Sequence, residues 1–250
     1  MTTLAVAVTL AAILVGATLQ RLSGTGVGLV VAPVLALLMG PALGVFVTNA
    51  TTVVSGFLIM LAVLRDVDWK RYLIFLPMAV LGGIPAGLMV RELPAAWLNI
   101  VIGAVVLVAL GLTFGMPRVP HVTSRWLTAG AGAVGGFLNT SAGVAAPAMV
   151  IYSKVSRWPQ RSFAATMQPT FMTMGLISVL VKLGVGATTV AQLPPWWLLP
   201  LIVAVVFGGI RAGGWLAGKV PVEGARVLAI TLAGIGGLVA VIRGVVLLVG

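Results

Sequence analysis

GGIPAG at Gly82–Gly87 and GGIRAG at Gly208–Gly213 are near-copies of one phrase, each set in a long apolar run. Each is followed by a proline, Pro94 and Pro221, at distances that differ by one residue. Upstream lies a second matched pair, SGTGVGLVVAP at Ser23–Pro33 and NTSAGVAAP at Asn139–Pro147, where small and hydroxyl residues interrupt apolar sequence before an Ala-Pro. The chain reads as duplicated. Two half-length copies, each with a hydrophobic segment broken at a polar, glycine-containing tip, are the sequence pattern of a secondary transporter.

Composition sets the solvent. With 60% hydrophobic residues, 8% charged residues and a mean hydropathy of +1.20, 250 residues cannot hide their apolar surface in one water-soluble core, so the chain belongs in a bilayer. The 32 glycines fit that solvent, because lipid supplies no hydrophobic drive for helix association and small residues let backbones approach. Gly83 with Gly87, and Gly209 with Gly213, are small-xxx-small pairs that predict close helix packing. The net charge of +11 would suggest nucleic acid in a soluble protein. Here the bases sit between apolar runs, where membrane topology explains them and no nucleic-acid partner is implied. Cysteine is absent, which excludes disulfides and thiolate chemistry. The first apolar run, Leu4 to Leu19, lacks a basic leader and a small-residue cleavage site, and is expected to be mature structure.

Apolar runs and their breakers divide each half into five segments. In the first half they cover 3–22, 27–40, 43–65, 71–91 and 95–115. In the second they cover 125–138, 143–154, 161–183, 195–217 and 222–249. The expected division is a first membrane repeat at 1–117, a linker at 118–124 and a second repeat at 125–250. The second segment of each half is too short for a bilayer that takes about 20 helical residues to cross. Segments one and two of each half are therefore expected to form a broken, re-entrant pair beside three full spans. An odd number of crossings inverts the next repeat.

Basic residues support the inversion. With the N-terminus outside, ten fall at cytoplasmic ends: Arg65, Lys70, Arg71, Arg118, Arg125, Lys154, Arg157, Arg161, Lys219 and Arg226. Arg91, Lys182 and Arg243 fall outside. Parallel repeats would move Lys154, Arg157 and Arg161 outward and destroy the bias that orients membrane proteins.

The polar residues point to an anion. Asp66, Asp68, Glu92 and Glu223 all lie in or beside predicted loops, so no mid-membrane carboxylate is available for a cation or a simple proton relay. Near the breaks stand Gln20, Arg21, Ser23 and Thr25 in one half and Asn139, Thr140 and Ser141 in the other. A helix that begins inside the membrane offers free backbone N–H groups and the positive end of its dipole. Pro33 and Pro147 are expected near the starts of such helices, where a missing N–H costs nothing. Packing kinks re-satisfied by neighbouring helices are the competing reading.

Asn49, Thr51 and Thr52, and the matching Thr166, Gln168 and Thr170, read either as interhelical hydrogen-bond glue or as anion ligands. Arg211, Lys182 and Arg243 are expected to snorkel to an interface, and His121 to be solvated in the linker. Ser23 has no histidine or carboxylate with which to build a hydrolase triad. One histidine and no cysteine cannot close a metal site, and no P-loop is present. No cofactor is implied.

The glycine-rich break leading to a proline (Gly24, Gly26, Gly28, Pro33), the polar start Asn49 to Thr52, GGIPAG with Pro94, and the echoes Gly143, Pro147, GGIRAG and Pro221 together resemble the sulfite exporter TauE/SafE family of membrane permeases. The resemblance covers essentially the whole chain and lies in the order and repetition of these motifs. It implies about eight membrane segments in two repeats and transport, often export, of sulfite, sulfoacetate or related organosulfonates. The second-half NTSAGVAAP departs from the richer glycine cluster the family often shows there.

The expectation is an all-α polytopic protein of the inner cell membrane with two inverted repeats, carrying a small oxyanion by alternating access. Its candidate substrate ligands are Arg21, Ser23, Gly24, Thr25, Gly26, Asn49, Thr52, Asn139, Thr140, Ser141, Gly143 and Gln168. Membrane lipid and the anion are the implied partners, and self-association is left open. A non-transporting membrane subunit and an intramembrane enzyme are the alternatives.

Overall fold

The computed structural model describes residues 2–24, 27–115 and 121–249. Thr25 and Gly26, two of the expected ligands, and residues 116–120 of the repeat joint lie outside the described residues. The described chain is helical throughout, with no strand. Ten α-helices follow in order: α1 Thr3–Ser23, α2 Val27–Met39, α3 Pro41–Val63, α4 Trp69–Glu92, α5 Ala95–Gly115, α6 Arg125–Ala142, α7 Ala146–Val155, α8 Gln160–Gly184, α9 Leu198–Leu216 and α10 Val222–Val249. Six are long and apolar enough to cross a membrane: α1, α3, α4, α8, α9 and the 227–249 part of α10. Val27–Met39 and Ala95–Val108 are shorter apolar stretches.

The broken pairs sit where the punctuation placed them, with two corrections. The polar residues Asn139 to Ser141 are not a loop between helices; they form the last turn of α6, which runs on to Ala142. Gln20, Arg21 and Ser23 likewise close α1. Each helix stops one residue later at a glycine in the left-handed region, Gly24 (φ 80°) and Gly143 (φ 74°), a conformation that a side chain disfavours. Each glycine caps its helix, Gly24 N donating to Gln20 O and Gly143 N to Asn139 O, both at 2.9 Å. Pro147 does lie at the start of α7. Pro33 does not: it sits in the interior of α2, seven residues into a thirteen-residue helix rather than at its free N-terminus.

The duplicated phrases are packing surfaces. An added Cβ at Gly82 would collide with the Ala133 carbonyl, and at Gly87 with Val181, so GGIPAG lets α4 lie directly on α6 and α8. In the second phrase a Cβ added at Gly209 would come within 2.8 Å of Leu14 O and one at Gly213 within 2.8 Å of Thr18 O, so these glycines seat α9 on α1. Arg211, which replaces Pro85, points away to the exposed side over Phe207.

A shift of 119 residues (143 − 24) carries Gly24 onto Gly143, Gln20 onto Asn139, Asn49 onto Gln168 and Gly56 onto Gly175. Contacts obey the same shift. A Cβ added at Gly56 would come within 2.8 Å of Gln168 O, and one added at Gly175 within 2.8 Å of Asn49 O. Numbers rise along α3 as they fall along α8, so these equivalent helices are antiparallel. So are α5 and α10, where Gly237 meets Val106 and Gly244 meets Ile100.

Candidate functional site

The two breaks meet. Gly28, at the start of α2, leaves room for the carbonyl of Gly143 at the end of α6, and a Cβ there would strike it. Beside this crossing lies a cavity of about 20 Å³ lined by Gln20, Val27, Gly28, Thr52, Asn139, Gly143, Ala146 and Phe171, with Leu29, Val144 and Ala145. That is room for about one water, which needs roughly 10–15 Å³. The cavity is too small for an oxyanion in this conformation. Both short helices start on its wall, through Val27 to Leu29 and through Val144 to Ala146. Their first N–H groups have no intrahelical partner and carry the positive ends of two dipoles.

Two amide pairs flank the cavity. Gln20 Nε2 donates to Gln168 Oε1 at 2.8 Å, and Ser55 Oγ donates to Gln20 Oε1 at 3.0 Å. At the equivalent place Asn139 Nδ2 donates to Asn49 Oδ1 at 2.7 Å. Asn49 Nδ2 spends its two hydrogens on Asn139 O and Ser178 Oγ, and Gln168 Nε2 spends its own on Gly24 O and Ala164 O. A side-chain amide has two N–H donors. Among the described residues Gln20 and Asn139 each use one, so each retains an N–H there, and both residues line the cavity.

On one side of Gln20 and Gln168 opens a vestibule of about 210 Å³. Arg21, Leu22, Ile59 and Val63 form its wall, with Asp66 and Arg161 also lining it; the latter two are paired at 2.9 Å. Arg21 is half-buried there and makes no ion pair among the described residues. The equivalent positions on the other side of the cavity are closed. Thr140, Ser178 and Lys182, which correspond by the same shift to Arg21, Ile59 and Val63, are all fully buried. Lys182 Nζ and Thr140 Oγ1 have no hydrogen-bond partner among the described residues. Lys182 therefore does not reach an interface, contrary to the expected snorkelling.

Of the expected ligands, Thr52, Asn139 and Gly143 line the cavity, and Arg21, Gly24 and Gln168 line the vestibule. Asn49 is buried behind Asn139. Ser141 turns back to its own helix, donating to Phe137 O at 2.8 Å. Ser23 Oγ donates to Leu19 O, and His121 is exposed ahead of α6, so the structure does not bring them together. Missing from the expected set is Gln20 as a cavity ligand. Its signal was present: it stands one turn before Gly24 as Asn139 stands one turn before Gly143. Lys182 offered no signal, because a lysine near a helix end ordinarily snorkels.

A family model described as Sulfite exporter TauE/SafE matches residues 8–240. The chain belongs to this sulfite exporter family. It is accordingly a polytopic membrane permease of a transporter family, and the resemblance in the paired breaks and glycine phrases is the family relationship. No curated protein and no solved structure matches the chain. In this TauE/SafE protein the two breaks bring together two helix starts and the amides of Gln20 and Asn139, with Arg21 in the neighbouring vestibule.

Proposed function

We propose that this TauE/SafE protein is a secondary carrier of a small oxyanion, sulfite or an organosulfonate, exporting it across the inner membrane by alternating access. The observation that carries the reading is the pair of free amide donors, Gln20 and Asn139, in one cavity with two helix starts. All four elements offer hydrogen-bond donors or positive potential, and no carboxylate lines the cavity. An oxyanion accepts such bonds on every oxygen.

The two halves, 1–117 and 125–250, act as inverted repeats. Antiparallel packing of equivalent helices α3 with α8 and α5 with α10 supports a two-fold axis across them. If those helices span, that axis lies in the membrane plane. The Gln20–Gln168 pair is then the gate toward the vestibule, and Asn139–Asn49 its counterpart on the far side. Arg161 lines the vestibule and belongs to the basic set expected at the cytoplasmic ends, which supports a cytoplasmic opening by charge bias. One side open and its equivalent closed is the asymmetry that alternating access requires.

The test is thermal stabilisation of purified protein by sulfite, sulfonates, sulfate and carboxylates, with flux in proteoliposomes. A ligand at 100 times its Kd stabilises by about 2.7 kcal/mol. Stabilisation by a sulfur oxyanion together with its flux supports the reading. Absence of both for every anion overturns it.

A further inference from the structure

We infer a second anion site, separate from the transport path, that takes the phosphate group of a ligand at the membrane rim. A cavity of about 280 Å³ opens between the start of α4, the start of α6 and the end of α7. Its lining carries three cations, Lys70, Arg71 and Arg125, with the hydroxyls of Thr123, Ser124 and Ser156. None of these residues lines the central cavity or the vestibule.

The pocket is built rather than incidental. Arg71 is fixed in place: its guanidinium lies 4.3 Å from the Trp158 ring centre and its Nε is 3.4 Å from Asp68 Oδ2. Asp68 is in turn held as the cap of α4, accepting from Arg71 N at 3.2 Å. Arg71 lines the cavity, and its remaining guanidinium donors are the natural complement of phosphate oxygens. Tyr152 OH, on the same wall, is fastened to Thr128 Oγ1 at 2.8 Å, so the floor is rigid. Lys70 and Arg125 are exposed at the mouth, free to close on a second or third oxygen. The start of α6, capped by Ser124, adds positive potential.

The location selects the ligand class. Trp126 is 86% exposed and Trp69 44% exposed beside the mouth, and tryptophans at that position mark the bilayer–water interface. The pocket therefore sits at headgroup depth, with about twenty times the space one water needs. Three cations against one carboxylate suit a phosphate ester, as basic pockets on the cytoplasmic side suit anionic lipid headgroups. A dissolved inorganic phosphate offers the same oxygens.

Native mass spectrometry of the full chain separates the two sources. One arm adds phosphatidylglycerol against phosphatidylcholine, and the other adds inorganic phosphate with the lipids omitted. Arg71 is left intact because its stacking supports the fold; the exposed Lys70→Gln/Arg125→Gln variant is compared instead. Preferential phosphatidylglycerol binding that falls about thirtyfold in the double variant, the scale of two basic residues at an anionic surface, supports a lipid phosphate. Phosphate adducts lost in the same variant support the free ion. Binding of neither, or a preference unchanged by the variant, overturns the site. Sulfite-induced stabilisation is measured on the same variant and is expected to be unchanged, so failure here and failure of the transport reading are distinguished.

Discussion

Gln20 and Gln168 are joined by a buried amide–amide bond of 2.8 Å between helices from opposite halves of the sequence, and the shift of 119 residues that carries Gly24 onto Gly143 turns this pair into Asn139 and Asn49. A bond between membrane helices is worth only about 0.6 kcal/mol on average. Such a bond is weak enough to open in the proposed transport cycle.

The equivalence makes a prediction about both amides. Gln20→Glu and Asn139→Asp keep size but replace the spare N–H donor with a negative charge. Each is expected to abolish anion-induced stabilisation, since a hydrogen bond to a charged group is worth about 1.5–3 kcal/mol and repulsion adds to the loss. The neutral Gln20→Ala should weaken anion affinity at least tenfold, about 1.4 kcal/mol. Titration calorimetry or thermal shift with sulfite checks this. Retained binding in either acidic variant would remove the amides from the site.

Arg21 stands in the vestibule rather than in the cavity, so its charge should act on the approach. Arg21→Gln is expected to lower affinity about tenfold when the anion is supplied from the vestibule side of oriented proteoliposomes. Raising salt from about 0.01 to 0.15 M, which shortens the screening length from roughly 30 to 8 Å, should shrink the difference. An affinity within a factor of about two of the parent at low salt would mean that Arg21 has no part in capture.

Glycine substitutions test the packing of the repeated phrases. Gly82→Ala forces a Cβ onto the Ala133 carbonyl and is expected to cost about 1–3 kcal/mol, the range for overpacking. Gly130, in α6 with nothing within 4 Å of an added Cβ, is the control. Gly130→Ala should stabilise by about 0.4–1 kcal/mol through the unfolded chain and helix propensity. Comparable melting temperatures for the two variants would contradict the close α4–α6 approach.

Helix order and the two breaks were legible in the sequence because apolar runs and glycine-proline punctuation act locally. The helix ends near the breaks were less so. Polar residues such as Asn139 and Ser141 read as loop, whereas a membrane helix tolerates them when the side chain bonds to its own backbone, as Ser141 does, or to a partner helix, as Asn139 does. Pro33 misled for a related reason, since neighbouring segments permit a proline inside a membrane helix. The amide pairings lay beyond the sequence: nothing local joins Gln20 to Gln168, and only the folded crossing of α1 with α8 brings them together.

Lys182 gives the sharpest test of an alternating cycle. It is fully buried, its side-chain nitrogen has no partner among the described residues, and its counterpart Val63 lines the open vestibule. A cation buried in this way opposes the closed arrangement, since replacing buried charge by apolar volume is often neutral or stabilising by about 1–4 kcal/mol. Under the proposed cycle the far side opens and Lys182 then meets the anion, the role proposed for Arg21 on the near side. Lys182→Met is therefore expected to raise the melting temperature while slowing sulfite flux at least tenfold, the two effects moving in opposite directions. Thermal unfolding and proteoliposome flux measured on one preparation decide it. A variant that is destabilised, or one that is stabilised with flux intact, would show that Lys182 serves the fold or nothing at all, and the far side would then lack its cation.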